Sequence, residues 1–217
     1  MRRHALRVRH LGPRDYGEIL SAMQAFTATR TEHTPCEIWL LEHHSVFTLG
    51  QGGRAEHVID PGDIPVVRSD RGGQVTYHGP GQLVAYTLLD LHRPGIGVRS
   101  LVNALEQAVI DVLADSAIRA GRRDGAPGVY VVQNKISSVG LRIKRGRSYH
   151  GLSLNVDMDL TPFERIDPCG YRGLHMTQCR DLGLRIDVDE AGERVTEAIC
   201  RRLPYHPEAA DDRLPSA

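Results

Sequence analysis

The tetrapeptide Lys144-Arg145-Gly146-Arg147, set between the extended runs Ile136–Ile143 and Ser148–Val156, restricts the fold more than any other feature. A polar, glycine-containing turn this short joins antiparallel neighbours, because a parallel return needs a crossover of a dozen or more residues. Further extended runs cover Ala5–Leu11, Cys36–Glu42, Val46–Leu49, Val66–Val67, Val75–His78, Gln82–Leu91 and Gly128–Val132. Gln82–Leu91 is almost continuously apolar, the pattern of a strand covered on both faces. Three stretches carry a helical period instead. From Pro13 onward, Tyr16, Ile19, Leu20, Met23 and Phe26 share one face. Between Val98 and Ile118 the stripe is Leu101, Leu105, Ala108, Val112 and Leu113. A third helix starts at Asp187, with Glu190 three residues on as in a capping box, and runs to about Leu203. Hairpins interspersed with a few helices predict an α+β fold, not regular strand–helix alternation. No repeat or linker divides the chain. One domain over residues 1–203 is expected, followed by a polar, proline-containing tail, 204–217, that should fray.

Composition excludes several function classes. Formal charge is zero, so no global field favours nucleic acid or a membrane surface. MRRHALRVRH has no apolar segment behind its basic residues, and no run approaches the roughly 20 apolar residues of a membrane span. Cys36, Cys169, Cys179 and Cys200 do not amount to a disulfide framework, which predicts a reducing, cytoplasmic home. The length suits a single domain with a sizeable core, and a monomer is expected.

The chemistry must come from local motifs, and the densest is RGGQVTYHGPGQ at residues 71–82, with four glycines. Bare backbone lets a ligand approach where a Cβ would clash. It is no phosphate loop: Gly-Lys-Ser/Thr is absent, and Val84 stands where a dinucleotide fingerprint has its third glycine. Cys169, His175 and Cys179 form C-x5-H-x3-C, a spacing that matches no familiar zinc module, so no metal or cofactor is expected. Cys169 lies in Asp167-Pro168-Cys169-Gly170, stiffened on one side and freed on the other, which presents a sulfur as a nucleophile. Such a thiol needs a cationic neighbour to ionise; His78, His150, His175 and Lys135 are the candidates. Of 27 basic residues all but Lys135 and Lys144 are arginine, so a retained lysine invites a role that arginine cannot fill, such as releasing a proton.

Four segments together resemble the lipoyl(octanoyl) transferases: residues 71–82, Lys135-Ile136-Ser137-Ser138-Val139-Gly140-Leu141-Arg142, His150-Gly151-Leu152-Ser153-Leu154-Asn155-Val156, and Pro168-Cys169-Gly170. The resemblance implies the fold of the biotin and lipoate protein ligases, a mixed, mostly antiparallel sheet flanked by helices. It implies that Cys169 carries an octanoyl group as a thioester and that Lys135 lowers its pKa and moves protons. Arg71, Gly72, Gly73, Gln74, Val75, Thr76, Tyr77 and His78, with Ser138, Val139, Gly140, Gly151, Leu152 and Ser153, would line the acyl pocket. The implied donor is octanoyl-acyl carrier protein. The implied acceptors are lipoyl domains of 2-oxo acid dehydrogenases and the glycine cleavage H protein. In that setting Gly72 and Gly73 let an acyl chain lie against backbone. Burying its methylenes at roughly 0.8 kcal/mol each offers on the order of 5 kcal/mol. The basic segment 142–147 is a candidate dock for an acidic carrier. An ATP-dependent ligase of the same fold, a non-catalytic acyl-binding protein and a cysteine–histidine hydrolase are the rival readings; Cys169 together with Lys135 separates the first two from transfer.

Overall fold

A computed structural model describes residues 3–168 and 173–215. Among the described residues the nine extended runs become β1 (His4–Arg14), β2 (Cys36–His43), β3 (Val46–Leu49), β4 (Val66–Arg68), β5 (Val75–His78), β6 (Gln82–Leu88), β7 (Gly128–Val131), β8 (Asn134–Lys144) and β9 (Arg147–Asn155), and a tenth strand, β10 (Tyr205–Ala209), forms near the C-terminus. The helices are α1 (Tyr16–Thr29), α2 (Val98–Ala114) and α3 (Val188–Arg202). Asp187 caps α3 by accepting from the Glu190 amide at 2.8 Å. Arg145 and Gly146 take φ of 51° and 73°, the left-handed pair that a two-residue hairpin between β8 and β9 requires.

Seven strands form one sheet in the order β10-β1-β2-β6-β9-β8-β7, and three form a second, β4-β3-β5. The large sheet is mixed: β10 and β2 flank β1 in parallel, and the remaining neighbours are antiparallel. Side-chain alternation divides its two faces. Cys36, Ile38 and Leu40 of β2, with Leu83 and Ala85 of β6, meet Leu105 and Val109 of α2 and Val195 and Ile199 of α3. Trp39, Leu41, Val84 and Tyr86 meet Ile19 and Met23 of α1 on the other face. That double cover explains the apolar run seen in β6. The small sheet has its own cluster around Phe47, Tyr77 and Phe163.

The fraying expected after Pro204 does not occur among the described residues of that segment. Residues 205–209 pair with β1 in parallel, from His4↔Tyr205 to Val8↔Ala209. The buried Arg9 guanidinium then reaches the carbonyls of Asp211 and Arg213, each at 3.0 Å, and also pairs with the Asp211 carboxylate. Glu37 holds the same guanidinium from below at 2.7 Å. Among the described residues no helix is long and apolar enough to cross a membrane.

Candidate active site

A cavity of about 530 Å³ opens beside β8 and β9, within the roughly 300–1,000 Å³ typical of small-molecule sites. Lys135 and Ser138–Leu141 of β8 line it, as do His150–Ser153 of β9. From Lys135 to Leu141 the strand rises about 20 Å, longer than an extended eight-carbon chain. Of the residues expected to form a pocket, Arg71, Gly72, Gly73, Gln74, Val75, Thr76, His78, Ser138, Val139, Gly140, Gly151, Leu152 and Ser153 all face this space. Tyr77 does not. Strand alternation turns it into the small-sheet cluster, where its ring lies 5.4 Å edge-on to Phe163 and its hydroxyl is 3.0 Å from Ser45 Oγ.

The glycine loop is held from both sides. Arg71 is buried, and its guanidinium donates to the carbonyls of Gly72, Gln74 and Thr48 at 3.0, 2.9 and 2.7 Å. It thus braces the turn it belongs to. The Gly72 amide donates to Leu141 O at 2.9 Å, laying the loop along β8. Gly73 has φ of +89°, so this glycine serves the backbone conformation first. A second glycine-rich segment, Gly50-Gln51-Gly52-Gly53, supports the loop: Gly50, Gln51 and Gly52 donate to the carbonyls of Gln74, Arg71 and Gly73 at 3.1, 2.9 and 3.1 Å. A Cβ on Gly50 would stand 2.4 Å from Gly73 O. Two glycine clusters far apart in sequence pack as one layer.

Lys135 is 1% exposed, and its Nζ donates to Pro127 O at 2.8 Å and lies 5.4 Å from the Tyr130 ring centroid. Its backbone is tied to the segment after the Pro-Cys-Gly turn: Lys135 N donates to His175 O, and Thr177 N to Lys135 O, both at 2.9 Å. Gly128 makes room for the lysine, since a Cβ there would meet Cε at 2.6 Å and Ser137 O at 2.3 Å. The Gly128 amide is fixed by the buried carboxylate of Glu106 at 2.8 Å, which Arg122 pairs at 2.9 Å. Glu106 follows Leu105 in a helix face otherwise rich in apolar residues, a signal that could have been read. Cys169 itself lies outside the described residues. Of the other cysteine-motif members, Cys179 is buried in the main core, where burial pushes its thiol up to about 12.

The cavity floor is a cluster of rings that sequence reading found only in part. Tyr16 stacks on His78 with centroids 6.0 Å apart, and His43 lies edge-on to both at 5.1 and 5.7 Å. His43 is 2.9 Å from Arg14 O through Nδ1 and 2.7 Å from Tyr86 Oη through Nε2, so the network assigns the donor proton to Nδ1. His150 has φ of 61°, which turns its ring so that both it and Tyr149 reach the Asp70 carboxylate. Burial lowers the pKa of His43 to about 4 and lowers those of His78 and His150 as well. Burial would raise Asp70, yet hydrogen bonds from His150 and Tyr149 hold it well below the carboxylate range. A neutral His150 therefore donates from Nε2 to an ionised Asp70. Its Nδ1 is buried with no hydrogen-bond partner among the described residues. The lining presents uncharged rings to whatever fills the space.

Known proteins resemble this chain over most of its length. The family model described as "Lipoyl protein ligase A/B catalytic domain" matches residues 15–200. An octanoyltransferase of Shewanella amazonensis is 56% identical over 205 residues, covering 94% of this chain and 95% of that protein. An octanoyltransferase of Pseudomonas putida is 58% identical over 197 residues, covering 91% of this chain and 92% of that protein. Among solved structures, a lipoate-protein ligase A bound with ATP superposes with a TM-score of 0.79 at 16% identity, covering 95% of this chain and 89% of that one.

Proposed function

The chain belongs to the lipoyl protein ligase A/B catalytic domain family, and from that premise we propose that it transfers an octanoyl group to a lysine amine of lipoyl domains, through a thioester on Cys169. The observation that carries the reading is Lys135, an amine buried at the head of a cavity walled by bare backbone. The donor is octanoyl-acyl carrier protein; the acceptors are lipoyl domains of 2-oxo acid dehydrogenases and the glycine cleavage H protein.

The chemistry balances without ATP. The Cys169 thiolate attacks the donor carbonyl, a carbon–sulfur bond forms to Cys169, and the donor carbon–sulfur bond breaks. The departing thiolate takes a proton from the Lys135 ammonium. The acceptor amine then attacks the Cys169 thioester and gives its proton to the neutral Lys135 amine. An amide forms, and Cys169 leaves as thiolate. One thioester replaces another and an amide replaces a thioester, so no activation step is needed. Backbone amides of the glycine loop are the candidates for stabilising the oxyanion, while the neutral histidines and tyrosines beneath the acyl chain leave it in an uncharged bed.

Incubation with octanoyl-acyl carrier protein in the absence of ATP should add one octanoyl group, mapped to Cys169 by mass spectrometry. Cys169→Ala should abolish transfer while the fold persists. An adduct that forms only when ATP is supplied, or one mapped elsewhere, would move the protein to the ligase reading.

A further inference from the structure

We propose that a second groove, beside Tyr130, receives the sulfur-borne arm on which the acyl group arrives, and that Arg123 recognises the amide nearest the sulfur. The proposal rests on the acyl-transfer reading above. The groove has a volume of about 370 Å³ and is walled by Arg123, Asp124, Ala126, Tyr130, Gln133 and His175. Ala126 is common to it and to the acyl cavity. The Tyr130 ring stands at the boundary: Arg123 Cζ is 4.5 Å from its centroid, and Lys135 Nζ is 5.4 Å from it. The far wall, Gly173–His175, follows Cys169 closely in the chain and is tied to β8 through Lys135 N and His175 O.

A thioester carbonyl carries two arms. When the acyl chain fills its own cavity with the carbonyl near Lys135, the sulfur-borne arm must leave in another direction. The groove adjoins the acyl cavity at Ala126, and the Tyr130 ring in its wall lies beside Lys135.

Charge indicates what kind of arm it takes. Arg123 and the exposed Asp124 sit together, so the groove has no net attraction for an anion. A neutral chain carrying an amide matches both signs, its carbonyl accepting from the guanidinium and its N–H facing an acceptor. Arg123 is partly engaged: Nη2 donates to Gln133 O at 2.9 Å and to the Gln133 side-chain oxygen. Nε and Nη1 have no hydrogen-bond partner among the described residues and remain available. Because Arg123 and Lys135 share the same ring, the guanidinium meets the arm only a few bonds from sulfur, not at a distant anionic end.

The test follows thiol release in the first half-reaction, with no acceptor present. Two donors are compared: the octanoyl thioester of N-acetylcysteamine, which has an amide two carbons from sulfur, and that of an unbranched alkanethiol of equal length without one. The parent protein should favour the amide-bearing donor by at least about tenfold in kcat/KM. Arg123→Ala should bring the two donors to within about twofold by slowing the amide-bearing donor alone, the second donor reporting that the site is intact. Retention of the preference in Arg123→Ala would overturn the assignment. So would an equal fall with both donors, which would leave Arg123 as a brace for the β7–β8 hairpin. Thiol release from neither donor by the parent protein would instead overturn the acyl-transfer reading itself.

Discussion

Three histidines lie under one cavity, and burial keeps each of them neutral. His43 shows the energetic consequence most clearly, with a folded pKa of about 4 against an ordinary 6.5. A depressed histidine pKa means that the unfolded chain binds a proton the folded chain refuses. The stability is therefore complete above about pH 6.5 and is lost as pH falls from there toward 4, on the order of 3 kcal/mol for His43 alone. His78 and His150 act in the same direction, and Asp70 contributes only below its ordinary range. The thermal midpoint should thus drop between pH 6.5 and 4, and His43→Gln should flatten that slope; an unchanged slope would show that His43 is not the group responsible. At this scale the sequence was informative about which residues gather and less so about which way they point. Residues 71–78, 138–140 and 151–153 carry a recognisable motif, whereas Tyr77 departs because a strand sends alternate side chains to opposite faces. His43, Tyr16 and Tyr86 carry no motif; the pairing of β2 with β6 brings His43 to Tyr86, and the start of α1 sets Tyr16 against His43.

The strand pair β8–β9 depends on two facing glycines, Gly140 and Gly151, and they do different work. A Cβ at Gly151 would lie 2.0 Å from Ala85 O, a backbone atom of β6 that cannot rotate away. A Cβ at Gly140 would stand 3.2 Å from Gly72 O and 3.3 Å from Arg71 Cδ, atoms of the cavity loop. Gly151→Ala should therefore cost about 1–3 kcal/mol in urea unfolding, the ordinary penalty of overpacking. Gly140→Ala should leave the unfolding midpoint nearly unchanged while raising KM for the octanoyl donor, because the loop shifts and the sheet does not. A reversal of the two phenotypes would show that the cavity wall and the sheet interior are exchanged. The elements themselves were legible because their signals are local: α3 has its Asp187 cap, β6 its double apolar face, and the β8–β9 hairpin its left-handed Arg145-Gly146. The layering of residues 50–53 on residues 71–74 was not, since a glycine cluster records freedom of backbone and not the identity of its neighbour.

At the scale of the whole molecule, the least legible feature was the edge of the large sheet. Tyr205–Ala209 is short and proline-containing, and no local period distinguishes a strand there from a tail; its role comes from the open edge of β1. The following residues fasten it, through Arg9 to the Asp211 and Arg213 carbonyls and through Leu214 packed against the α1 layer. Removing residues 211–217 should lower unfolding stability by about 1.5–3 kcal/mol, the range for hydrogen bonds to a charged group. Octanoyl transfer at 25 °C should persist, and an unaltered urea midpoint would deny the segment any part in stability. The pairing of His4 with Tyr205 also sets a schedule. During synthesis β1 can find β2 early, but its other edge stays bare until nearly the whole chain has been made. A contact between such distant positions is slow to close, and an unpaired strand edge invites pairing with other chains. The ribosome-bound nascent protein is therefore most exposed to misassembly at its first strand, and release from that hazard comes with the last one.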